Sequence, residues 1–182
     1  TTGARNVAVG RVALGSQATV SNNTAVGYYA LGDNSTGAEN SAFGANCMDA
    51  LTTGNYNDAF GRDALGTGTG FSECCAFGNS ALKFNTGDHN SAFGFNALSA
   101  NTSGARNTAF GHRALESNTD AVNNTAVGDY ALSDCTTGVD NTAVGREALQ
   151  YLTTGVHNTA VGQESQKYLL LDNIILLLVI TH

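Results

Sequence analysis

The chain has 182 residues, and its chemically capable side chains are four histidines, four cysteines and fifteen acidic residues. A catalytic nucleophile needs a base within hydrogen-bond reach. Glycoside hydrolysis needs two carboxylates at a defined separation, and a zinc site needs four closely spaced nitrogen or sulfur ligands. Cys47, Cys74, Cys75 and Cys135 match neither a zinc spacing nor a small disulfide framework. They read as buried small residues, and four free thiols point toward synthesis in a reducing compartment. No phosphate loop, nucleophile elbow or calcium-binding repeat is present. The eight Lys and Arg residues are scattered and the net charge is −7, which excludes nucleic acid as a partner. No catalytic, cofactor-binding or metal residue is assigned, no cofactor is expected, and the chain is read as not an enzyme.

The elements that would have to position these groups are set by a repeat. Taking the glycine of "NTAVG" as a marker gives Gly10, Gly27, Gly44, Gly61, Gly78, Gly94, Gly111, Gly128, Gly145 and Gly162, a step of 17 residues broken by a single step of 16. Two before each glycine stands Ala. One before stands Val or Phe, and the Phe copies are consecutive: Phe43, Phe60, Phe77, Phe93 and Phe110. Four before stands Asn, with Cys74 as the exception; four after stands Leu, except Met48 in the third copy and Gln166 in the tenth, where the pattern ends. The short lap is expected to lose its residue between Leu82 and Thr86, in a loop. The remaining positions vary. His89 and His157 share one variable position but lie four laps apart, roughly 19 Å in a stacked coil, too far to share a metal. The acidic residues also fall in variable positions, with no recurring pair.

A 17-residue lap is too short for two packed helices, and 22 glycines with periodic Asn, Thr and Val disfavour helix. The spacing predicts an all-β, parallel β-roll or β-solenoid of about ten coils. "NTAVG" is expected to form one strand, the segment ending in Ala-Leu a second, and "TTG" the return turn. Like residues then stack about 4.8 Å apart, and stacked Asn side chains form amide ladders. Strand alternation suggests Val/Phe and Leu inside the coil and two Ala columns outside. A core that thin is marginal for one chain, so the Ala columns are expected to pack between chains.

The phrases "NNTAVG", "NSAFG" and "NTAFG" resemble the repeats of trimeric autotransporter adhesin heads, and more closely the "NTAVGxxAL…TTG" repeats of phage and large-virus tail-fibre and spike proteins. The resemblance covers roughly Thr1 to Gly162. It implies a homotrimer of left-handed β-rolls on a virion surface or in an extracellular or cell-surface setting. The function it implies is that of a stalk or attachment module contacting a host receptor or surface glycan. The sequence departs from those families in its 17-residue lap, longer than that of the adhesin heads, and in showing no coiled-coil stalk, membrane anchor or recognisable C-terminal chaperone domain within its 182 residues.

The chain is thus expected to comprise a β-roll repeat domain, residues 1–166, and an apolar C-terminal tail, residues 167–182, acting as a cap or trimerisation segment. The apolar run of the tail is too short to span a membrane as a helix. Thr1 falls inside a repeat unit, so the chain is expected to be a fragment or processed product. Tyr28, Tyr29, Tyr56, His112, Arg113 and Tyr130 are expected to face outward in variable loop positions, none of them named as a contact residue, and sequons occur at Asn22, Asn34, Asn101 and Asn123. Three alternatives stand beside attachment. One is a fibre-borne polysaccharide-degrading enzyme and another is a pure spacer. The third, an ice-binding solenoid, needs an unbroken Thr column, which Val7, Asp58 and Cys75 interrupt.

Overall fold

The computed structural model describes residues 3–16 and 20–169, and the backbone of 176–178. The described chain is a parallel β-solenoid with no helix. Each lap contributes one three-residue strand: β1 (Val7–Val9), β2 (Thr24–Val26), β3 (Ser41–Phe43), β4 (Asp58–Phe60), β5 (Cys75–Phe77), β6 (Ser91–Phe93), β7 (Thr108–Phe110), β8 (Thr125–Val127), β9 (Thr142–Val144) and β10 (Thr159–Val161). They form one sheet in sequence order, Ala over Ala and Phe over Phe. A further strand, β11 (Leu176–Leu178), pairs with β10 in the same register. The rest of the apolar tail, and with it the expected cap, lies outside the described residues. No helix among the described residues is long and apolar enough to cross a membrane.

The expected second strand is absent. The Ala-Leu segment is a turn, because three non-glycine residues in each lap adopt positive φ: the residues two and four after the glycine, and one in the return turn. In the seventh copy these are Arg113 (φ 57°), Leu115 (φ 52°) and Asn123 (φ 58°). A Leu in the left-handed region is strained by itself. Here it is over-determined by packing and by backbone pairing: the Leu115 N–H donates to the Ala131 carbonyl at 3.0 Å, and every Leu from Leu31 to Leu149 is fully buried.

This turn overturns the expected placement of the Ala columns. Strict alternation holds only for extended backbone. With Leu left-handed, Ala114 and Leu115 both point inward and both are fully buried. In the strand, the middle Ala is the inward residue: Ala25, Ala92, Ala109 and Ala143 are completely buried, whereas Phe110 is 57% exposed. The Ala columns therefore lie in the core of the single chain and cannot form an interface with sister chains. The third strand residue points outward whatever its size, since Val9 is as exposed as Phe110. The core of one chain is also fuller than expected, since Ala, Leu and Asn columns all fill it.

Asn forms the ladder expected of it. The Asn124 N–H donates to Asn107 Oδ1 at 3.0 Å, and Asn141 and Asn158 repeat the contact at 2.9 and 3.0 Å. Each amide Nδ2 also donates to a return-turn carbonyl, as Asn107 does to Ala121 at 2.8 Å and Asn124 to Gly138 at 2.8 Å. A buried polar column thus has its hydrogen-bonding capacity used within the coil. The marker glycine is required where the chain bends: Gly111 has φ 145°, and a Cβ there would sit 2.4 Å from the Gly128 carbonyl oxygen. The short lap loses its residue later than expected. Gly68 lies under Asn85 at the full interval, while the Ser72 N–H reaches Asp88 Oδ1, 16 residues on, at 2.8 Å. The missing residue therefore falls between Asn85 and Asp88, in the "TTG" turn.

Candidate functional surfaces

With the invariant residues turned inward, the variable ones form the exterior. The two positions after each glycine make a ledge along the rod. In the sixth to eighth copies, side chains 17 residues apart meet there. Phe95 and His112 stack with ring centroids 5.7 Å apart, and the Tyr130 ring meets the His112 ring edge-on at 5.2 Å. His112 Nδ1 lies 2.8 Å from Asp129 Oδ1. The Arg113 guanidinium lies over the Tyr130 ring at 5.6 Å, and its Nη1 donates to Tyr130 Oη at 3.2 Å. Glu116 flanks it, 3.6 Å from Arg113 Nε. Phe95 is 47% exposed, so the group presents an aromatic surface edged by one cation and two carboxylates.

Of the residues singled out in the sequence, His112, Arg113 and Tyr130 come together. Tyr28 and Tyr29 sit on the same ledge five laps away, about 24 Å, with rings 6.0 Å apart and Arg11 over Tyr28 at 5.8 Å. The neighbouring Asp33 carboxylate, which accepts from Tyr29 Oη, raises the Tyr29 phenol pKa. Tyr56 is exposed but occupies the return turn, away from the ledge. Phe95, Asp129 and Glu116 were not singled out, although Phe95–His112–Asp129 is legible as one column of the 17-residue period.

The histidines expected to lie apart do so, each beside a carboxylate of the preceding lap: His89 Nδ1 is 3.2 Å from Glu73, and His157 Nε2 is 3.4 Å from Asp140. Among the described residues no group of three His, Cys, Asp or Glu side chains is placed to hold a metal. Burial pushes the Cys47 thiol up to about 12 and those of Cys74 and Cys135 up to about 11, so these three are inert. Cys75 alone is partly exposed. Partial burial also raises the Asp49 carboxyl, whereas the Ser103 hydroxyl holds Asp120 below its ordinary value. Of the sequons, Asn34 and Asn101 are fully buried; Asn22 and Asn123 are exposed.

The second surface is the outer face of the sheet. Its Val/Phe column runs the length of the solenoid. The Phe rings stack in near-parallel planes at 4.6, 4.5, 5.1 and 5.6 Å. Beside it runs the column of first strand residues, which contains no cation and a single carboxylate, Asp58.

Comparison of the chain with protein-family models, curated proteins and solved structures gives no match.

Proposed function

We propose that this chain is a structural and attachment module of a fibre, spike or surface adhesin. In this reading it is a homotrimeric rod displayed on a virion or in an extracellular or cell-surface setting. The observation that carries the reading is the division of labour in each lap. Asn, Ala, Leu and Gly recur inside and hold a rod of roughly 45 Å, while the outer ledge changes from lap to lap. Stiffness comes from the periodic residues and contact specificity from the variable ones. The ledge around Phe95, His112, Arg113 and Tyr130 supplies a stacking face with polar groups at its edge, which suits a receptor or glycan. Three copies on one rod multiply a weak contact through avidity. The repeat phrases support the fibre setting by resemblance.

Light scattering on the purified chain, coupled to size exclusion, tests the assembly. Three chain masses are expected, and a monomer at every concentration overturns the trimer. Turnover of a capsular or cell-wall polysaccharide, lost on replacing single Asp or Glu residues, would replace attachment with hydrolysis.

A further inference from the structure

We infer that the outer face of the sheet β1–β10 is the surface through which copies of this chain associate, with the Phe column at its centre. The inference rests on the self-association in the proposed function and replaces the Ala columns, which the fold buries.

Three observations carry it. The first is exposure: Val9 and Phe110 are each 57% exposed and Phe60 and Val144 each 36%, and the other six residues of the column are half-buried. An apolar stripe left partly open to solvent through ten laps marks a contact surface.

The second is a coupling of side-chain size across each strand. The five strands ending in Val (β1, β2, β8, β9 and β10) all begin with a β-branched residue, Val7 or Thr. Three of the five ending in Phe begin with a smaller one: Ser41, Cys75 and Ser91. Asp58 beside Phe60 and Thr108 beside Phe110 are the exceptions. Crowding beside a ring explains why the Phe strands avoid bulk. It does not explain why the Val strands restore it. A face kept level by opposite changes in two columns is what packing against a second surface requires.

The third is what can match that face. It carries no positive charge, so an anionic partner has nothing to pair with, and the rings stack on one another, so their faces are not free for a sugar. A partner with apolar rungs at the same spacing and over the same length fits, and another copy of this chain has both.

The test replaces outward rings with a residue suited to an exposed strand. The double variant F60T/F77T leaves the Ala, Leu and Asn columns untouched, so the far-ultraviolet circular dichroism spectrum is expected to stay that of the wild type. Association followed by light scattering is expected to weaken by about a hundredfold. Cys75, on the same face, is expected to react with a maleimide faster in the variant than in the associated wild type. F110T, at the most exposed ring, gives a second reading should the double variant fold poorly. An unchanged mass and an unchanged Cys75 rate in a folded variant overturn the assignment of this face and leave the oligomer standing. A wild-type chain that stays monomeric overturns both.

Discussion

At the scale of single residues, the position four before each glycine shows how the repeat is held. Each Asn there from Asn6 to Asn141 offers its carbonyl oxygen to the backbone N–H of the next lap; the Asn57 N–H takes Asn40 Oδ1 at 3.1 Å and the Cys74 N–H takes Asn57 Oδ1 at 3.0 Å. At Cys74 the series is interrupted, because a thiol does not reproduce the amide. Asn85 partly fills the gap, accepting from Asn90 Nδ2 at 3.2 Å and donating to Cys74 Sγ at 3.5 Å. Cys74→Asn is therefore expected to close the ladder. A gain of about 1 kcal/mol, the usual net value of a buried hydrogen bond, should appear as a higher midpoint in thermal or urea unfolding. A lower midpoint would show that Asn85 has already taken over the role.

At the scale of the lap, the interior is a fixed cross-section in which a large gain in one place needs a loss beside it. Phe71 is fully buried where seven of the other nine laps have Gly, Val20 and Ala121 being the exceptions, and it fits because Gly68 stands where Asn85, Asn101 and Asn118 stand in later laps. A Cβ on Gly68 would lie 2.8 Å from the Phe71 ring. The same tightness governs the strand alanines. Ala109→Leu is expected to unfold or destabilise the chain by at least about 1–3 kcal/mol through overpacking, read as loss of the β-sheet circular dichroism signal on mild heating. The damage should be to folding and not merely to assembly, because Ala109 faces the chain's own core. A variant that melts normally but fails to associate would return the Ala column to the outside.

At the scale of the molecule, the solenoid is quasi-one-dimensional: each strand touches only the strands before and after it, so stability is a sum over neighbouring laps. Deleting residues 112–128 joins Gly111 to Asp129, and Gly128 is followed by Asp129 in the intact chain. The product is expected to fold with a slightly lower midpoint and a rod about 4.8 Å shorter, measurable by small-angle scattering. Deleting a number of residues that is not a whole lap moves every inward side chain out of register, and aggregation or unfolding is expected. The natural short lap escapes this because its missing residue lies in an exposed return turn, between Asn85 and Asp88.

The sequence alone determined the period, the fold class and the columns, because stacking in register requires the same residue at the same place in every lap and so writes the architecture into the spacing. It also determined the Asn ladder, since a buried amide column has only its neighbours to bond. It did not determine which way each column points. That depends on the sign of φ at Leu115 and its equivalents, which no residue preference favours and which only packing and pairing between laps enforce. With the middle Ala of each strand inward, alternation puts Val and Phe alike on the outside. The same folding brings Phe95, His112, Arg113 and Tyr130 into contact, and only neighbouring laps could place them there.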